Sequence, residues 1–202
     1  MTVVLATRNQ HKIDELRAIL AGTGLPLDLV GLDRFPDMPE VEETGLTFAE
    51  NALLKARAVA TFTNLPAIAD DSGLCVAALN GMPGVISARW AGGHGDDQAN
   101  LDLVLAQLSH VPAGDRPAWF ACAAALVVPG TPAVERVVEG RLDGQLTTKP
   151  RGTGGFGYDP IFQPEGSGLT TAELEPVAKN AISHRGRAFR ALAPLLQELL
   201  PG

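Results

Sequence analysis

The chain has 202 residues, 46% hydrophobic and 19% charged, which is the composition of a folded globular protein and argues against a disordered one. Its 16 Lys and Arg residues against 23 Asp and Glu residues give a net charge of −7, which argues against a general nucleic-acid-binding protein. The chain begins without a basic leader and contains no apolar run near the roughly 18 residues of a membrane helix. We therefore expect a soluble, cytoplasmic protein with no membrane partner and no nucleic-acid partner. Its length predicts a single domain over 1–202, built as one body or as two tightly joined lobes.

In the first third of the chain, strand and helix patterns alternate. Thr47 and Glu50 have the spacing of a capping box, directly before an alanine-rich helix. The predicted elements are a strand over 3–6, a helix with Ile13, Leu16 and Ile19 on one face, a short strand over 27–32, an exposed loop over 35–45 and the capped helix over 51–62.

The remaining two thirds add longer strands and two more helices. Asp96 or Asp97 can cap a helix whose apolar face includes Leu101 and Val104. A strand is predicted over 67–70, and after a bend it continues over 74–79. An irregular segment over 80–95 and this capped helix follow. The chain then forms an antiparallel hairpin of strands 118–128 and 134–142, and it ends in a helix with Phe189, Leu192, Leu195, Leu196 and Leu199 on one face. Together these patterns predict an α/β protein with a mixed sheet. Cys75 and Cys122 lie in apolar contexts without a C-x-x-C pair, so we expect buried, reduced thiols.

The segment Thr7-Arg8-Asn9-Gln10-His11-Lys12 connects the first strand to the first helix. Free backbone N–H groups at a helix start, with hydroxyl, amide and ammonium donors beside them, suit a phosphate. The segment is not a Walker A loop, because the chain contains no G-x-x-x-x-G-K-[ST]. An ordinary strand-to-helix turn with a solvated Lys12 is the alternative.

Adjacent acidic residues occur at Glu42-Glu43, Asp70-Asp71 and Asp96-Asp97. Magnesium usually takes one or two carboxylates and leaves its other positions to water and substrate phosphates, and Asp71 at a strand end suits that role. Successive strand residues face opposite ways, so Asp70 and Asp71 are expected to have different tasks. For the third pair a helix cap is the favoured interpretation, and for Glu42-Glu43 a solvated loop is the alternative.

The loop from Gly152 to Gly157 matches G-x-G-x-x-G, but no apolar strand leads into it and Pro160 follows, so we reject a Rossmann dinucleotide site. Phe156, Tyr158 and Asp159 instead offer an aromatic face and a carboxylate suited to a base. A connector whose aromatic residues simply pack is the alternative. Further along, Lys179 and then Ser183-His184-Arg185 lead into the last helix, where Arg187 and Arg190 follow. The adjacent donors His184 and Arg185 can bind phosphate or a carbonyl oxygen, and a structural or solvated histidine is the alternative.

Taken together, these motifs closely resemble those of the inosine/xanthosine triphosphate pyrophosphatase family, in the same order along nearly the whole chain. The matching segments are Thr7-x-Asn9-x-x-Lys12, Glu43-Thr44-Gly45-x-Thr47-Phe48-x-Glu50-Asn51-Ala52-x-x-Lys55-Ala56, Ala69-Asp70-Asp71-Ser72-Gly73-Leu74, Gly152-Thr153-Gly154-Gly155-Phe156-Gly157-Tyr158-Asp159-Pro160 and Ser183-His184-Arg185.

The resemblance implies an elongated central mixed sheet flanked by helices, two lobes with a cleft, a homodimer, and Mg²⁺-dependent hydrolysis of ITP, dITP and XTP to monophosphate and pyrophosphate. It places Glu43 and Asp71 at metal positions, with Asp71 also the general base. The residues that would contact the triphosphate are Thr7, Arg8, Asn9, Gln10, His11, Lys12, Lys55 and Ser72. Of these, Lys12 and Lys55 would also be catalytic. Residues that would contact the nucleoside are Phe156, Gly157, Tyr158, Asp159, Lys179, His184 and Arg185.

Two other functions stay open at this point. One is a pyrophosphatase for modified pyrimidine triphosphates, as in the distantly similar septum-inhibitor family. The other is a regulator that binds nucleotides without turnover. If the substrate is a non-standard purine triphosphate, donors on His184 or Arg185 could meet the 6-oxygen of the purine. Adenine would leave such a donor unpaired.

Overall fold

The computed structural model describes residues 2–21, 27–93 and 95–200, and the side chain of His11 lies outside the described part. The strands are β1 (Thr2–Leu5), β2 (Asp28–Val30), β3 (Ala67–Val76), β4 (Pro117–Val128), β5 (Val134–Leu146) and β6 (Phe162–Pro164). The helices are α1 (Gln10–Ala21), α2 (Phe48–Thr63), α3 (Asp97–Gln107), α4 (Pro176–Ile182) and α5 (His184–Leu199). No described helix has the length and apolar character needed to cross a membrane.

The strands form one six-stranded sheet in the order β2-β1-β3-β4-β5-β6. β1 pairs in parallel with both β2 and β3, whereas β5 and β6 pair antiparallel, so the sheet is mixed, as predicted. β4 and β5 are neighbours joined by only residues 129–133, too few for the crossover that a parallel pair needs. The predicted hairpin is therefore confirmed.

The chain divides into two compact units. The first unit comprises Met1–Asp71, Cys122–Gly140 and Arg185–Gly202, and the second comprises Ser72–Ala121 and Arg141–His184. In the first unit, alternate residues of the sheet enter two separate cores. Val3, Leu5 and Ile68 pack with α1 and α5, whereas Val4 and Ala67 pack with α2. The period of two along each strand thus places helices on both faces of this part of the sheet.

The second unit has its own core. Leu74 and Val76 of β3 pack there with Leu101 and Val104 of α3 and with Phe162 of β6. Asp96 caps α3, because its carboxylate accepts a hydrogen bond from Ala99 N at 3.0 Å, so the first of the two predicted caps is the one used.

Three local features differ from the sequence-based expectation. β3 runs without interruption from Ala67 to Val76, where a bend was expected between Asp70 and Leu74. Gly73 lets the backbone of Gly84 approach this strand closely, because a Cβ on Gly73 would lie 2.4 Å from Gly84 O. Residues Gly84–Arg89 form two short 3-10 turns that meet at a kink at Ile86, within the segment expected to be mostly irregular. Met38 is buried, although it belongs to the loop expected to be exposed.

Candidate functional site

The connection between β1 and α1 is ordered by its own side chains. Thr7 Oγ1 accepts from Asn9 N at 3.1 Å, and Asn9 Oδ1 accepts from Lys12 N at 3.2 Å. Arg8 donates to the carbonyl of Met38. Asn9 therefore occupies the capping position of α1, which directs the Lys12 side chain toward β3.

Asp70 is buried at the centre of a network of opposite charges. Its Oδ2 lies 3.2 Å from Lys12 Nζ and 3.2 Å from Arg185 Nε, and the Arg185 guanidinium also binds Glu15. Burial alone would raise the pKa of Asp70, but Lys12 and Arg185 hold it well below its usual range. Asp70 is therefore a fixed anion that orients two cations.

Asp71 faces the opposite way and contacts other partners. Its Oδ2 accepts from Asn51 Nδ2 at 3.0 Å, and its Oδ1 lies 3.4 Å from Lys55 Nζ. The same ammonium lies 2.7 Å from Glu43 Oε1. The three charged groups thus form a compact cluster with two carboxylates on one cation.

Burial raises the pKa of Asp71, and the nearby Glu43 adds to the shift while Lys55 opposes it. For Lys55, burial alone would lower the pKa, but Asp71, Asp70 and Glu43 together raise it. The result is a carboxylate more basic than an ordinary aspartate beside an ammonium that keeps its proton. Such a carboxylate is suited to accept a proton from water.

Asn51 fixes the loop that carries Glu43. It is fully buried, and its Oδ1 accepts from Gly45 N at 2.7 Å while its amide nitrogen donates to Asp71. A capping box fixes the first turn of α2, because the Thr47 side chain accepts from Glu50 N and the Glu50 side chain accepts from Thr47 N. The start of α2 therefore sets the distance between Glu43 and Asp71.

Glu43 and Asp71 are hard oxygen donors of the kind that a divalent cation takes, and their shared contact with an ammonium shows that the pair attracts positive charge. Over residues 2–21, 27–93 and 95–200, no three His, Cys, Asp or Glu side chains converge as a metal site. Two carboxylates nevertheless suffice for magnesium, which keeps several waters and binds substrate phosphates.

The second unit contains a separate cluster around Asp159. Its buried Oδ2 accepts from Phe156 N at 2.9 Å and from Lys179 Nζ at 2.6 Å. The Lys179 ammonium lies 5.4 Å from the centre of the Phe156 ring. Tyr158 is buried, and its hydroxyl donates to the carbonyl of Ser87 at 2.8 Å. The loop is thus built from groups that can stack on a ring and hydrogen-bond to it.

The predicted site residues consequently fall into two sets. The first unit contains residues 7–12, Glu43, Lys55, Asp71 and Arg185. The second unit contains Ser72, the loop residues 156–159, Lys179 and His184. Lys12 and Arg185 meet at Asp70, whereas Glu43 and Asp71 meet at Lys55, and the two clusters are carried by neighbouring residues of β3. Gln10 instead donates to Asp14 on its own helix at 2.8 Å, and the His184 ring stacks on Phe120 with centroids 4.8 Å apart.

Three residues in these networks received no binding or catalytic role from the sequence. Glu15 binds Arg185, Asn51 binds Asp71, and Asp97 accepts from Gly157 N at 2.8 Å. Glu15 lies three positions after Lys12 on α1, a spacing that places both on one helical face and could have indicated a shared site.

Comparison with known proteins gives a consistent result over the full length. A family model described as the Ham1 family matches residues 3–195. The chain is 67% identical over 199 residues to the dITP/XTP pyrophosphatase of Streptomyces coelicolor, with 98% of each chain covered. It is 51% identical over 201 residues to the dITP/XTP pyrophosphatase of Mycobacterium tuberculosis, covering 99% of this chain and 97% of that protein. The structure of a HAM1 protein from Coxiella burnetii is similar with a TM-score of 0.88 at 43% identity, covering 98% of this chain and 99% of that one.

Proposed function

Because this chain belongs to the Ham1 family, we propose that it hydrolyses the non-standard purine nucleoside triphosphates ITP, dITP and XTP to the monophosphate and pyrophosphate. It would thereby cleanse the nucleotide pool of these compounds. The observation that carries the proposal is the cluster in which Glu43 and Asp71 share the Lys55 ammonium, beside the buried pair of Lys12 and Asp70.

We propose Mg²⁺ as the metal, with Glu43 and Asp71 as its protein ligands. Bound there, the ion would neutralise phosphate charge and polarise the α-phosphorus. The donor set supports this assignment, because both carboxylates lie at the same ammonium and Asn51 holds Asp71 in place. The remaining positions would go to water and substrate oxygens.

The chain's own residues supply the proton transfer. In the proposed step a water oxygen attacks the α-phosphorus, and Asp71 accepts the proton of that water. The bond from the α-phosphorus to the bridging oxygen breaks, and pyrophosphate leaves with the electron pair. The geometry supports this role, because Asn51 and Lys55 hold the Asp71 carboxylate in place beside Glu43.

Cations of the first unit would stabilise the charge that develops on departing pyrophosphate. Lys12 is held by Asp70 with its side chain 20% exposed, and Lys55 is held by Asp71 and Glu43 with 14% exposed. Backbone N–H groups and side chains of residues 7–11 are proposed to contact the same phosphates at the start of α1.

The nucleoside is proposed to bind at the loop around Asp159. The partly exposed ring of Phe156 offers a stacking surface, and Asp159 and Lys179 offer an acceptor and a donor. A donor on His184 or Arg185 aimed at the 6-oxygen of inosine or xanthine would reject adenine, which presents an amino group there. In this structure the Arg185 guanidinium is engaged by Asp70 and Glu15.

The product assay tests the proposal directly. Purified protein with ITP and Mg²⁺ should yield IMP and pyrophosphate, whereas IDP and orthophosphate would mean a different reaction. A panel of ITP, XTP, GTP, dUTP and methylated pyrimidine triphosphates distinguishes the purine function from a pyrimidine one. Tight ITP binding without products would indicate a regulator. We also propose a homodimer in the cytoplasm, on the family resemblance, and sedimentation at micromolar concentration tests its mass.

A further inference from the structure

We propose that Asp97 is a positioning residue for nucleoside recognition, because its carboxylate holds Gly157 of the base-binding loop. The inference rests on the proposed function and adds a residue to it. Asp97 Oδ2 accepts a hydrogen bond from Gly157 N at 2.8 Å, although the two residues lie 60 positions apart. Sequence patterns had given this carboxylate no task beyond a helix cap.

The adjacent carboxylate already performs the capping task. Asp96 Oδ1 accepts from Ala99 N at 3.0 Å and is the N-cap of α3. Asp97 is the first residue of the helix, and its side chain extends away to the loop. The two neighbouring aspartates thus have distinct contacts, one within the helix and one to Gly157.

The contact acts on a turn whose geometry needs fixing. Gly157 has φ +60° and Gly155 has φ +72°, both in the left-handed region that glycine adopts readily. A segment with this much backbone freedom is expected to sample several conformations unless its polar groups are bound. Asp97 binds the N–H of Gly157, which lies between the ring of Phe156 and the buried Tyr158.

A second set of hydrogen bonds within the same unit also connects this loop to α3. Asn100 of α3 accepts from Ala91 N at 2.7 Å and donates to Ala88 O at 3.2 Å, which ties α3 to the segment that carries Ser87. The Ser87 carbonyl accepts from the Tyr158 hydroxyl. Consecutive loop residues are therefore attached to α3, one directly and one through this segment.

Removing the contact should loosen the loop without touching the hydrolytic residues. We expect Asp97→Ala to raise KM for ITP about fivefold, the effect of losing one hydrogen bond, with kcat changed less than about twofold. The amide of Gly157 should exchange with solvent about fivefold faster in nucleotide-free protein, as measured by NMR. Asp97→Asn, whose amide oxygen can still accept, should restore most of both properties.

Asp96→Ala is the matched control. It should speed exchange at Ala99 and lower stability, yet leave Gly157 exchange and KM near wild type. Equal effects of Asp96→Ala and Asp97→Ala on KM would mean that helix stability is responsible, which overturns the inference. Unchanged KM or unchanged Gly157 exchange in Asp97→Ala overturns it too. Failure of the proposed function would be seen separately, as absence of IMP and pyrophosphate with the wild-type protein.

Discussion

Asp70 and Asp71 are neighbours in one strand, yet their carboxylates contact different partners. Asp70 binds Lys12 and Arg185, whereas Asp71 binds Asn51 and Lys55. The alternation of side chains along β3 produces this separation. One carboxylate is consequently held as a permanent anion, and the other has a raised affinity for protons.

Asp71→Asn should lower kcat for ITP by about 10²–10⁴, the usual contribution of a general base. The fold should persist, because burial already disfavours the charged form of Asp71 and a neutral amide fits the same position. Steady-state kinetics and a thermal melt check the two parts. Turnover like that of wild type would remove Asp71 from the mechanism.

Asp70→Asn should instead destabilise the protein by about 3 kcal/mol, because it removes the carboxylate that Lys12 shares with the buried Arg185, and Glu15 continues to bind Arg185 alone of these two cations. The native pKa of Asp70 lies below its ordinary value, so the stabilisation is complete above the unfolded pKa and is lost as the pH falls. Urea unfolding of both proteins should give a constant difference from pH 5 to 8 that shrinks below about pH 4. A difference that grows on acidification would contradict this account.

Glu43→Gln should raise the Mg²⁺ concentration for half-maximal activity at least about tenfold, since one of two charged ligands is removed. Binding of Mn²⁺ followed by electron paramagnetic resonance should weaken in parallel, without any substrate present. Glu42→Gln makes the same charge change one residue away and should leave both values near wild type. Equal effects of the two variants would show that general electrostatics, and not ligation, is measured.

Gly73→Ala should cost about 2 kcal/mol or more of stability, because the added methyl group would lie 2.3 Å from Ser87 Oγ and 2.4 Å from Gly84 O. Gly114→Ala is the control, since a Cβ there meets nothing within 4 Å and the backbone is not left-handed. The control should change the free energy of unfolding by less than about 0.5 kcal/mol. Chemical denaturation of both variants provides the comparison, and equal stabilities would contradict the close approach.

Elements with local signals were predictable from the sequence. The capping box of Thr47 and Glu50 is confirmed, as are the hairpin of β4 and β5 and the apolar face of α5 that buries Phe189 and Leu192. These features depend on residues a few positions apart. Opposite orientations of Asp70 and Asp71 followed for the same reason, from the two-residue period of a strand.

Contacts between residues far apart in the sequence could not be predicted from any local sequence pattern. Arg185 meets Glu15 across 170 positions, and Gly157 meets Asp97 across 60. The close approach of Gly84 to Gly73 is likewise a tertiary property. A motif names the residue types that a site uses, but only the packing of the chain decides which carboxylate each cation binds.

The two thiols offer a way to watch each unit open. Cys122 belongs to the first unit and Cys75 to the second, and both are free and buried. Burial raises the pKa of Cys75 to about 11 and raises that of Cys122 as well, so neither forms the reactive thiolate at neutral pH. Alkylation by iodoacetamide, read by peptide mass spectrometry, would therefore report a separate opening rate for each half of the molecule without any introduced label.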